Sequence, residues 1–180
     1  MLRKFALTAT LILAACKPAA SDDYQPRGTV ADERTAPLPP VESPATEGAS
    51  WAPSPSSGRL LYGLPGAAPY FSLACEEGTL VYTRYQRADA QAKGVLALIG
   101  NGHVERLWID AEQEGENWLW RGRIAADDPR IEVLTGPRRV EATVPGAGSL
   151  ILNPSNAPAE FITRCAGQHP QPQAAPEDPA

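Results

Sequence analysis

Three cysteines, two histidines and a few short clusters of carboxylates are the groups through which this chain could do chemistry. A zinc or other transition-metal site asks for His and Cys at short, regular spacings. His103 falls in an alternating run and His169 in a Pro- and Gln-rich tail, and neither has a companion ligand at such a spacing. Both read as surface residues, and no metal or other cofactor is expected. A serine or cysteine nucleophile needs a base and an orienting partner, and no Gly-x-Ser-x-Gly stretch is present. Gly100-Asn101-Gly102 has no helix pattern after it, so it does not read as a phosphate loop.

Paired carboxylates are the remaining acid–base option. Glu76-Glu77 and Asp127-Asp128 are adjacent, and Glu112, Glu114 and Glu116 alternate just before Trp118 and Trp120. A glycosidase uses two carboxylates across a cleft, often beside aromatic rings. Acids in turns are more simply solvated or capping groups, and the two tryptophans alternate as core residues do. The chain is therefore expected not to be an enzyme, with a carbohydrate-active enzyme as one alternative.

Cys16 has a different context. Arg3 and Lys4 precede an apolar run, Phe5 to Leu13, which ends in Leu13-Ala14-Ala15-Cys16. The run is too short to span a bilayer and fits the apolar core of a signal peptide. The ending resembles the lipobox of bacterial lipoproteins. That resemblance implies a signal peptide over 1–15, removed before a lipid-modified Cys16. Two or three acyl chains anchor stably where one binds reversibly. Lys17 follows in place of the Asp that marks inner-membrane retention, which implies the outer membrane, facing the periplasm.

Residues 16–57 carry proline-rich stretches such as Ala36-Pro37-Leu38-Pro39-Pro40 and few large apolar side chains. Such a segment buries too little surface to offset its ordering entropy, so a disordered tether is expected there. Trp51 is the exception and marks a place where the chain could first touch the domain. A similar tail is expected over 167–180. The formal net charge is −5 and no basic run exists, so nucleic acid is not an expected partner.

From 58 to 166 short apolar or alternating runs recur between turn residues, the all-β signature. About eight strands are expected, near Tyr70–Cys75, Thr79–Tyr85, Val95–Ile99, His103–Ile109, Asn117–Ile124, Ile131–Leu134, Arg138–Val144 and Ser149–Leu152. Ala159–Arg164 fits either strand or helix. Gly100-Asn101-Gly102 is a hairpin signal. Asp128 before Pro129 suits an N-capped single turn. Trp118, Trp120, Gly122 and Ile124 share one face, and Val140, Ala142 and Val144 point inward. The expected fold is a single antiparallel sandwich or small barrel. Arg121, Arg123 and Arg139 point outward and form a candidate binding surface.

With Cys16 taken by lipid, Cys75 and Cys165 are expected to pair in an oxidising compartment. Closing a loop of that size would constrain the unfolded chain by up to roughly 4.6 kcal/mol.

Two family resemblances bear on this domain. Phe71-Ser72-Leu73-Ala74-Cys75, Asp128-Pro129-Arg130, Pro137-Arg138-Arg139-Val140-Glu141-Ala142, Leu150-Ile151-Leu152-Asn153-Pro154 and Arg164-Cys165 resemble a group of Gram-negative envelope proteins with a small C-terminal β-domain. This implies a fold and a compartment, but no activity. Cys75 to Tyr85 and Asn117 to Gly122 are similar to strands of the lipoproteins that inhibit C-type lysozyme. That family inserts a Ser-Gly-x-x-Tyr loop into the enzyme, and this chain has none, so no inhibitory residues carry over. The expectation is a lipid-anchored periplasmic protein whose β-domain binds an envelope protein or peptidoglycan, or serves envelope maintenance. A lysozyme inhibitor is the alternative.

Overall fold

The computed structural model describes residues 38–55 and 57–168. The signal segment, Cys16, most of the expected tether, His169 and most of the tail lie outside the described residues.

The fold is all-β, with nine antiparallel strands in one nearly closed, barrel-like sheet and one short helix. In chain order the strands are β1 (Ser50–Pro53), β2 (Leu60–Gly63), β3 (Phe71–Glu76), β4 (Thr79–Arg87), β5 (Lys93–Gly100), β6 (His103–Glu114), β7 (Asn117–Ala125), β8 (Val140–Thr143) and β9 (Ser149–Leu152). A 3-10 helix, Pro129–Leu134, and α1, Ala157–Ala166, complete the body. The strand order across the sheet is β1-β2-β3-β4-β7-β6-β5-β8-β9. Among the described residues no helix is long and apolar enough to cross a membrane.

Alternation fills the interior, as read from the sequence for Val140 and Ala142. Phe71 and Leu73, Leu80 and Tyr82, Leu96 and Leu98, Leu107 and Ile109, and Val140 and Ala142 all point in and are buried. The β5–β6 hairpin turns at Gly100-Asn101-Gly102, where Asn101 and Gly102 both adopt positive φ. Asn101 then serves a second purpose. Its amide donates to Val133 O at 2.9 Å and accepts from Arg138 N at 2.8 Å, tying the hairpin to the loop before β8.

Two expectations are corrected. Ile131–Leu134 is helical rather than a strand. Asp128 caps the turn by accepting from Arg130 N, and Pro129 presets its first φ. That start carries on through Leu134, burying Ile131, Val133 and Leu134 against the barrel. Apolar content alone does not separate a short strand from such a helix. The second correction concerns the expected tether over 16–57, because residues 38–55 belong to the folded body and include β1. Few large side chains are needed there, since backbone bonds do the holding. Val41 N donates to Gly146 O at 3.1 Å, Ser149 N to Ser43 Oγ at 2.9 Å, and Leu38 N to the Asp89 carboxylate at 3.0 Å. Gly148 sits at φ +71° beneath this segment, and a Cβ there would come within 2.9 Å of Val41 O. Trp51 packs its ring against Tyr62 and Phe71 at centroid distances of 5.1 and 6.2 Å.

The outer strands β1 and β9 do not pair with each other. Side chains bridge the seam instead. The Tyr62 hydroxyl on β2 donates to Ile151 O at 2.8 Å and accepts from Asn153 N at 3.0 Å. Asn153 Nδ2 donates to Thr46 O and Ala49 O, both at 2.9 Å. Burial pushes the Tyr62 hydroxyl above its ordinary pKa, so it stays protonated and able to donate.

Helix α1 buries Pro158, Phe161, Ile162 and Cys165. Ala159–Arg164 is thus helical, and Pro158 in its first turn suits that choice. Cys165 is disulfide-bonded to Cys75 of β3, with the Cα atoms 5.6 Å apart.

Tyr62→Phe removes the partner of two half-buried backbone groups and is expected to lower unfolding stability by about 1–2 kcal/mol. Urea unfolding measures it, and an unchanged midpoint would mean that the seam does not depend on this hydroxyl. Reduction of Cys75–Cys165 is expected to cost about 2–4 kcal/mol. Thiol titration of the unfolded chain with and without reductant should show these two sulfurs reactive only after reduction.

Candidate functional site

Arg121 and Arg123 stand on the outer face of β7, at alternate positions. Their neighbours on β6 in the same phase are Glu112 and Glu114. Arg121 bonds Glu114 closely, lies 3.6 Å from Glu112, and donates from Nε to Thr83 Oγ1 at 3.2 Å. Arg123 bonds Glu112 through both terminal nitrogens and lies 3.9 Å from Glu76. The Arg123 guanidinium holds the Glu112 carboxyl below the ordinary glutamate range, chiefly through that hydrogen bond. Such a carboxyl is ionised at neutral pH and has no proton to give as a general acid. Trp120 is buried and Trp118 half-buried, as alternation requires, so neither ring forms an open platform beside these acids.

Arg139 lies elsewhere. It precedes β8, and β6 and β5 separate β8 from β7 in the sheet. The three arginines of the expected binding surface therefore do not come together. Arg121 and Arg123 are committed to carboxylates, whereas Arg139 is exposed and forms no ion pair with a described residue.

Between them lies a group that composition did not single out. On β6, Val104, Arg106 and Trp108 share the phase opposite to buried Leu107 and Ile109, and all three face solvent. Trp108 is 75% exposed, Val104 58%, and Ile99, the partner of Val104 on β5, 47%. These are the largest exposures among the big apolar side chains of the described residues. The alternation of β6 itself carried the signal, since the phase that buries Leu107 and Ile109 must expose Trp108.

Trp108 is firmly seated. The β6–β7 pairing ends at Asp110–Arg121, and the carbonyl of Trp108, two residues on, instead accepts from the buried Tyr82 hydroxyl at 2.5 Å. Gly122 leaves the room for this, because a Cβ there would collide with the Tyr82 ring and with Trp108 O. Burial, aided by the Asp110 charge and opposed by Arg130, pushes the Tyr82 hydroxyl up to about 12. The donor is therefore permanent at any physiological pH. A large indole thus projects into water from a backbone clamped on its inner side.

The other features are less suited to a site. A groove of about 230 Å³ runs along β1, β2 and the loop after it, with Ala52, Leu61, Leu64, Pro65 and Pro69 in its walls and no titratable side chain. His103 lies 4.0 Å from Glu105 and has no further such partner. Among the described residues no cluster of three His, Cys, Asp or Glu could hold a metal. Inside the barrel, Arg84 is 2% exposed and donates to Tyr70 O at 3.0 Å and Ala147 O at 3.4 Å. Its Nε has no partner, and burial lowers its pKa to about 10, so it remains a cation.

Glu112→Gln should lower stability at neutral pH by at most about 1 kcal/mol, since the pair is partly exposed. The native carboxyl has a depressed pKa, so its contribution is present above the unfolded value of about 4.3 and fades as pH falls through the folded one. Urea midpoints of the two proteins should draw together as pH falls below about 4.3, and meet once the native carboxyl is protonated. A gap that persists there would assign the effect to packing.

No family model, curated protein or solved structure matches this chain.

Proposed function

We propose that this protein is a non-catalytic binding module of the cell envelope, held to a membrane by lipid on Cys16 and presenting the outer face of β5 and β6. The observation that carries the binding half is Trp108, 75% exposed on a rigid sheet, with Val104 and Ile99 exposed farther along the same face. Soluble domains expose single apolar residues freely, but several on one face, a large aromatic among them, suit an interaction surface. The acidic groups nearest to it are engaged with arginines or a lysine, as in Lys93–Asp110 at 2.5 Å, which favours recognition over proton transfer. The anchoring half rests on Leu13-Ala14-Ala15-Cys16 behind its basic and apolar run, and on the resemblance to bacterial lipoproteins. That resemblance, with Lys17 after the cysteine, supports a module on the outer membrane facing the periplasm.

Cys16→Ser tests the anchor. The wild-type chain, expressed in a Gram-negative host, should fractionate with membranes and incorporate labelled fatty acid, and the variant should do neither. Equal partition of both chains would overturn the anchor. Trp108→Ser tests the face. It should abolish photo-cross-linking from a probe at position 104 to envelope material while leaving the urea midpoint unchanged. Cross-linking that survives would overturn the face.

A further inference from the structure

The apolar group does not stand alone. Arg106 lies between Val104 and Trp108 on the exposed side of β6. The end of the β5–β6 hairpin adds two more arginines. Gly100 pairs with Val140, the residue after Arg139, and the Arg139 carbonyl packs close against it. Arg138 is tied to the hairpin through its backbone bond to Asn101. Arg138 and Arg139 are both exposed. Neither these two nor Arg106 forms an ion pair with a described residue, whereas Arg121, Arg123 and Arg130 all do. Two acids border this stretch of the face: Asp110, two residues past Trp108, is paired with Lys93, and Glu141, opposite Ile99, is half-buried and takes a bond from Thr143. In a chain of net charge −5, three guanidinium groups with no ion pair to a described residue lie along the same end of the sheet as its most exposed apolar side chains.

We propose that this end of the barrel docks on an anionic lipid surface, with Val104 and Ile99 entering the headgroup boundary, Trp108 lying at the interface, and Arg106, Arg138 and Arg139 meeting lipid phosphates. The proposal deepens the binding reading above and rests on it. Arginine suits phosphate because its planar fork donates in pairs. Indole suits the interface because it is apolar with one polar edge. Chain length is compatible with it. Twenty-one residues separate Cys16 from Leu38, which limits the distance from anchor to body to at most about 75 Å. A lipid on Cys16 would hold the face within that reach of a bilayer, so a weak surface contact would be populated through its high effective concentration.

The test uses the full mature chain with Cys16→Ser, so that no acyl chain contributes. It is sedimented with vesicles of phosphatidylcholine alone and of phosphatidylcholine with 30% phosphatidylglycerol, and in parallel with purified peptidoglycan. The expected result is binding to the anionic vesicles with a blue shift in tryptophan emission, weakened by salt. Each of Arg106→Gln and Arg139→Gln should reduce that affinity by about fivefold. Trp108→Phe should remove the blue shift. Near-ultraviolet circular dichroism checks that the variants keep the native packing. Failure to bind anionic vesicles, equal binding to neutral ones, or sedimentation with peptidoglycan alone would overturn lipid docking. Should vesicles not bind while Trp108→Ser still abolishes envelope cross-linking, the face stands and only its lipid partner falls. Should Trp108→Ser change neither, both readings fall together.

Discussion

A curled sheet whose first and last strands do not meet must find partners for two rows of backbone groups, or leave them open to other chains. Here the solution is the seam between β9 and β1. One tyrosine hydroxyl, one asparagine amide and a stretch of chain with little regular structure close it. Everything else presupposes that closure. The interior can be largely apolar on the strands, Arg84 being the charged exception, because the wall around it is nearly closed. Buried Tyr62 is both a core side chain and part of the lock, which couples packing to hydrogen bonding in one residue.

The exposed face depends on that closed wall. Trp108 can stand in water without loosening the sheet because Tyr82, from inside, supplies the bond that β7 does not. Arg84 plays a related part near Tyr70 and Ala147. A guanidinium in an apolar interior with no carboxylate beside it is costly unless it is hydrogen-bonded. Two carbonyls hold it, and in return it ties the loop before β9 to β4. The charged ribbon of Arg121, Arg123, Glu112 and Glu114 covers the outer side of the strands where the ladder is continuous.

Much of the barrel was legible because period-two alternation and turn chemistry are local. Trp120, Ile124, Val140 and Ala142 all face the way their neighbours in sequence implied, and Cys75 meets Cys165. What escaped was non-local. Residues 38–49 look like linker because their partners are Asp89, Gly146, Ser149 and Asn153, each far along the chain. The Ile131–Leu134 run reads as a strand in sequence but is helical, because its conformation is set by a cap and not by its apolar side chains. Arg121, Arg123 and Arg139 do not form one group for a similar reason. Arg121 and Arg123 point outward as read, but only the pairing of β6 with β7 reveals that carboxylates already occupy them.

The seam also has a mechanical side. Leu38, Val41 and Ser43 are where the described chain begins, and each is held by a bond to a different part of the wall. Tension applied from the N-terminal side would load those bonds one after another, as in opening a zipper, rather than all at once as in shear. The strand ladders and the disulfide would carry none of it until the segment had peeled back as far as Asn153. The first dozen residues of the body are thus fastened bond by bond, apart from the strand ladders behind them.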